Sequence, residues 1–142
     1  TIDAVHEFDN DIMNWGEDVL TAILAGETSV LNWYISNSTE SGLPLCDMQI
    51  ATVTRDIAEG SPLRLAAQCT TNYPDPESTR KLSGVATQMD ISQTGFTVYD
   101  QGQQCNAVSS HPYFTGHTIP SASRLDIQHN QAISFNVVIS FS

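Results

Sequence analysis

Residues 132–142 read AISFNVVISFS, and this stretch decides the fold class. Ile133, Phe135, Val137, Ile139 and Phe141 fall on one side of an extended chain. Ala132, Ser134, Asn136, Ser140 and Ser142 fall on the other, with Val138 the one exception. A period of two is the signature of a strand with one face buried. A pattern this regular predicts a central strand of the chain's own sheet. It is also uncharged and of high β propensity, so left uncovered it is an edge that another chain can pair with.

Working back from this strand, the same alternation or β-branched enrichment recurs over residues 46–57, 63–71, 82–91, 96–99, 104–109 and 124–129. Turn-forming clusters separate these runs: Glu59-Gly60-Ser61-Pro62, residues 72–77 with two prolines, Thr94-Gly95, Asp100-Gln101-Gly102 and His129-Asn130-Gln131. Short strands at this spacing predict an antiparallel β-sandwich or barrel-like domain. His111 to Ser123 carries too many breakers for regular structure and reads as a long surface loop.

Ahead of residue 45 the period changes. Val5, Phe8, Ile12, Trp15 and Val19 recur at spacings of three and four, followed by Ile23 and Leu24, which predicts an amphipathic helix over residues 5–25. Gly26 is its stop, and Gly16 is an internal weak point costing about 1 kcal/mol relative to Ala. Residues 30–36 (VLNWYIS) read equally as helix or strand. The expectation is a mainly β, α+β chain of one domain over 1–142. It has an acidic, largely helical segment 1–40 followed by an antiparallel β unit over 45–142. A helix preceding an antiparallel sheet is similar in layout to the globular heads of pilins and pseudopilins. The likeness is one of layout alone, and no family is assigned.

Composition narrows the function classes. Of 142 residues, 40% are apolar and only 15% charged, against roughly a quarter charged in an average globular chain. Ser, Thr, Asn and Gln therefore supply most of the polar surface. Residues 1–54 hold nine acids (Asp3, Glu7, Asp9, Asp11, Glu17, Asp18, Glu27, Glu40 and Asp47) and no Lys or Arg, and the net charge is -11. Such a surface repels phosphate backbones and anionic lipid, so nucleic acid is excluded as an expected partner. No stretch reaches the ~20 apolar residues a membrane span requires.

The chain opens at Thr1, which reads as a processed, exported chain, and Asn37-Ser38-Thr39 is an N-glycosylation sequon beside the break at residues 41–44. Cys46, Cys69 and Cys105 allow at most one internal disulfide. Cys46 with Cys69 is the expected pair, its flanking strands adjacent across the turn at residues 59–62, which leaves Cys105 over.

Catalytic signatures are absent from the sequence. His6, His111, His117 and His129 have no metal-ligand spacing, no Gly-x-Ser-x-Gly elbow occurs, and Asp9 to Asp18 lacks the spacing of a calcium loop. No metal, cofactor or enzyme activity is expected. The leading expectation is an exported structural or adhesive protein, a subunit of a fibre-like or surface assembly. Self-assembly would run through Val5, Phe8, Ile12, Trp15 and Val19 or through Ile133, Phe135, Val137, Ile139 and Phe141. The alternative is an extracellular carbohydrate- or small-ligand-binding module using Trp33-Tyr34 or Tyr113-Phe114. A hydrolase is the third reading.

Overall fold

The computed structural model describes residues 11–55, 57, 62–93, 98–100, 103–105 and 112–140. In chain order the elements are β1 (Asp11–Ile12), α1 (Asn14–Leu24), β2 (Val30–Thr39), β3 (Gln49–Ile50), β4 (Thr52–Arg55), β5 (Leu63–Thr70) and β6 (Thr79–Ile91). They continue with β7 (Val98–Asp100), β8 (Gln103–Cys105), β9 (Tyr113–Thr118), a 3-10 turn Ser121–Ser123, β10 (Leu125–Gln128) and β11 (Ala132–Ile139). The fold is mainly β with one α-helix, and every described strand pair is antiparallel.

A curled six-stranded sheet runs β1-β9-β6-β2-β3, with β10 also on β6. A three-stranded sheet runs β11-β5-β4, and β7 and β8 form a separate hairpin. The long strand β6 organises the larger sheet. Its first residues pair with β10 and its later ones with β9, while β2 runs along its other side. Ile35, Val85, Met89, Ile91, Phe114 and Ile127 from the larger sheet meet Leu65, Phe135, Val137 and Ile139 from the smaller one in a single buried cluster.

The chain crosses between the two sheets at three places, one of them the connection over residues 71–78 from β5 to β6. At Ala51 it passes from β3 in the larger sheet to β4 in the smaller. At His129–Gln131 it passes from β10 to β11, where Asn130 takes a left-handed conformation (φ 65°). Thr71 fastens this last corner. Its hydroxyl donates to the Gln128 carbonyl at 2.6 Å, its amide to the Gln131 carbonyl at 3.0 Å, and its carbonyl accepts from the Asn130 amide at 3.0 Å. A backbone with positive φ and few partners of its own needs such support.

The helix is shorter than its apolar period predicts. Among the described residues Asn14–Leu24 is the helix, and Ile12 stands in β1, paired with Thr115. Val5 and Phe8 lie outside the described residues. Within the segment 1–40, Val30–Thr39 is a strand. There Ile35, Asn37 and Thr39 are buried while Ser36 and Ser38 stand half-buried on the other face. This period-two demand, met by β-branched and aromatic side chains, settles the ambiguity of residues 30–36. Gly26 ends the helix as expected. At φ 80° it donates to the Ile23 carbonyl, and the Glu27 amide closes back on Ala22 at 2.9 Å.

Gly16 has a different role from the one its propensity implies. A Cβ at this position would overlap the backbone carbonyl of Phe114, so the glycine lets α1 lie directly on β9. Gly16→Ala raises intrinsic helicity yet is expected to destabilise the protein by about 1–3 kcal/mol through overpacking against backbone. Thermal or denaturant unfolding reads this directly, and a stabilised Gly16→Ala protein would show that the helix does not sit on β9.

The segment 111–123 is not a long irregular loop. Tyr113–Thr118 forms β9 between β1 and β6. Pro112 and Pro120 bracket the strand instead of breaking it, and Tyr113, Phe114 and Thr115 are strong strand formers. Thr87 and Thr115, paired across β6 and β9, share a hydroxyl–hydroxyl hydrogen bond of 2.6 Å within the core. Among the described residues, no helix is long and apolar enough to cross a membrane.

Candidate functional site

The strand that decides the fold has an unexpected place in it. Among the described residues β11 pairs with β5 alone, from Ala132 opposite Thr70 to Ile139 opposite Leu63, so it is an edge strand and not a central one. Phe135, Val137 and Ile139 are buried and Ile133 packs half-buried against the same core, as their alternation requires. These side chains belong to the chain's own core. What β11 offers to solvent is its other row, Ala132, Ser134, Asn136 and Val138, together with its outward backbone. In an antiparallel ladder alternate residues turn their N–H and C=O away from the one neighbour, and on that side no described strand pairs with β11. Phe141 lies outside the described residues.

The charge of this region sets it apart. The strands of the smaller sheet, TVTR, LRLAAQCT and AISFNVVI, contain no Asp or Glu, and Arg55 and Arg64 are their only charges. The net charge of the chain is nevertheless -11. On the other described elements acids are frequent: Asp11 on β1, Glu17 and Asp18 on α1, Glu27 after it, Glu40 and Asp47 around β2 and β3, Asp90 on β6, Asp100 on β7 and Asp126 on β10, while Asp56 and Glu59 fall in the β4–β5 connection and Asp75 and Glu77 in the one that leaves β5. Of these, Glu40 pairs with Arg124 at 2.9 Å and Asp126 with Lys81 at 3.7 Å. The outward rows of the smaller sheet run Thr54, Arg64, Val138 and then Thr52, Ala66, Asn136, with Arg64 the one charge among them. Val138, 50% exposed, is the apolar exception already visible in the sequence.

The described part of the helical stripe packs within the chain itself. Val19 is fully buried and Trp15 half-buried, both drawn into the chain's own packing, because α1 lies on β9 through Gly16.

Asn37 is likewise not an exposed acceptor. It sits on the core side of β2, 8% exposed, and its Nδ2, the atom that would carry a glycan, donates to the Cys46 carbonyl at 3.1 Å. Its Oδ1 accepts the Leu45 amide at 2.7 Å. The chain break read beside the sequon comes after Thr39, too late to bring Asn37 to the surface. Asn37 instead holds the segment that carries Cys46, and Cys46 is joined to Cys69 of β5, a bond spanning 23 residues. The pair expected from spacing thus links the β2 side of the larger sheet to the smaller sheet. Cys105 ends β8.

The residues proposed for ligand binding separate. Trp33 and Phe114 meet edge to face at 5.3 Å and close over the core, so neither is a free stacking platform. Tyr113, 42% exposed, instead lines a groove of about 550 Å³ on the outer face of the larger sheet. Its floor is the row of small residues Ser36, Ser38, Gly84, Ala86 and Gly116, and Met13, Pro44 and Met48 rim it. His117 on β9 lines the same groove, whereas His129 stacks edge to face with Tyr73 at 5.4 Å. His6 and His111 lie outside the described residues. Among the described residues no three His, Cys, Asp or Glu side chains gather as a metal site.

No protein-family model, no curated protein and no solved structure matches this chain. The geometry of the molecule is therefore the whole basis for reading its function.

Proposed function

We propose that the chain is a subunit of an exported, fibre-like or surface assembly, structural or adhesive and not catalytic, joined through its three-stranded sheet. One observation carries this reading: in a protein of charge -11, the sheet whose strands hold no acid ends, among the described residues, in an uncharged, eight-residue edge strand. Copies of so acidic a chain repel one another, and the repulsion is least where acid-free surfaces meet. Edge strands of proteins that remain alone are blunted by charge, proline, bulges or short length. Among its described pairings β11 shows no bulge, and its sequence has no proline and no charge. The Cys46–Cys69 disulfide supports the exported environment, since such bonds persist where the surroundings are oxidising.

Sedimentation of the native protein across concentration and ionic strength tests the reading. Species larger than a monomer are expected, and more of them at higher salt as the mutual repulsion of the acids is screened. A protein that stays monomeric at high concentration and high salt would overturn it. That outcome would favour a second reading, a module that binds a small ligand or carbohydrate in the groove beside Tyr113.

A further inference from the structure

The exposed row of β11 is compatible with its own copy, and the strand's register shows where the match lies. Two antiparallel β11 strands keep both cores on the same side of a joined sheet only if inward residues stand opposite inward residues. Of the registers that satisfy this, the one centred on Asn136 maps the whole inward set onto itself. Ile133 then lies opposite Ile139 of the second copy, and Phe135 opposite Val137. On the outer face Ser134 meets Val138 and Asn136 meets Asn136, whose side-chain amide both donates and accepts. No charge stands anywhere in the seam, and none of the three strands of the smaller sheet carries an Asp or Glu.

We infer that the repeating unit of the assembly is a two-fold dimer in which β11 pairs antiparallel with β11 of a second copy about Asn136. The inference rests on the reading of the chain as an assembly subunit and names the first contact that builds it. The dimer is isologous, since one strand supplies both halves of the contact. It makes a continuous six-stranded sheet in the order β4-β5-β11-β11-β5-β4, with a short β4 edge at each end for further growth.

The two-fold places residue 136 of each copy opposite itself, which yields a test by charge. Asn136 is exposed, so neither Asn136→Asp nor Asn136→Lys touches the core. Each variant alone sets like charges directly across the seam, and each is expected to self-associate roughly tenfold more weakly than the parent or worse. Mixing the two variants puts Asp opposite Lys and is expected to restore mixed dimers, read by sedimentation with the fold of each variant checked by circular dichroism.

If both variants assemble like the parent, or if mixing does not restore dimers, the β11 seam is overturned while assembly through another surface stands. A parent protein that is monomeric under all conditions overturns the assembly reading and the seam together.

Discussion

Removal of residues 132–142 is expected to leave a chain that does not fold. Phe135, Val137 and Ile139 each bury their side chains in the cluster that also contains Leu65, Val85 and Met89. Full burial of one such side chain stabilises by roughly 1.5–3 kcal/mol. Three of them approach the whole net stability of an ordinary domain, about 5–15 kcal/mol. The deletion also strips β5 of its only full-length partner among the described residues, since β4 covers just Leu63 to Ala66. Phe135→Ala alone is expected to cost about 3–5 kcal/mol, transfer and cavity terms together. Circular dichroism and thermal unfolding of the truncated and single-site variants read both effects. A truncated protein with a cooperative melt close to that of the parent would show that β11 adds little to its own subunit. The contrast with Asn136→Asp, on the same strand but facing outward, separates the strand's work inside the subunit from its work between subunits.

Breaking the Cys46–Cys69 bond is expected to be the second large effect. Cross-linking residues 23 apart restricts the unfolded chain. On the chain-entropy view a loop of that length is worth about 3 kcal/mol. Cys69→Ala removes the bond and opens a small void, because both sulfur-bearing residues belong to the buried core. It also frees the segment at Leu45 and Cys46 that Asn37 holds by two hydrogen bonds. Denaturant unfolding of Cys69→Ala, or of the parent under reducing conditions, is expected to show a transition displaced by about this amount. The fold itself should survive, since the strand pairings do not pass through the disulfide. An unchanged midpoint after reduction would mean that the two sheets are held together by core packing and the chain's own crossings alone.

Local pattern was enough, in this protein, to place most strands. The alternation of Ile133, Phe135, Val137 and Ile139 and the turn residues at His129–Gln131 mark their elements within a residue or two. Side-chain period and turn chemistry act over a few residues, so a one-dimensional reading captures them. The mainly β class with a single helix follows from the same local signals. The pairing of Cys46 with Cys69 rests on which strands neighbour which, and a plausible guess at adjacency reached it.

Tertiary context decided the rest. Tyr113–Thr118 carries a glycine and is flanked by prolines, which locally argue for a loop, yet β6 and β1 offer partners on either side and the strand forms. Gly16 reads as a helix weakness until Phe114 is seen against it. Asn37 carries a surface sequon, but β2 continues through Thr39 and alternation turns Asn37 inward, where backbone groups of residues 45 and 46 satisfy it. The candidate site shows the division most plainly. That β11 buries one face is written in its alternation. Whether it lies at the centre of a sheet or at its edge depends on pairing with β5, some 60 residues earlier in the chain, and no pattern within the strand records that. Likewise the sequence shows that acids crowd residues 1–54, whereas only folding gathers β4, β5 and β11 into one acid-free sheet, because their alternating faces close on a core shared with the larger sheet.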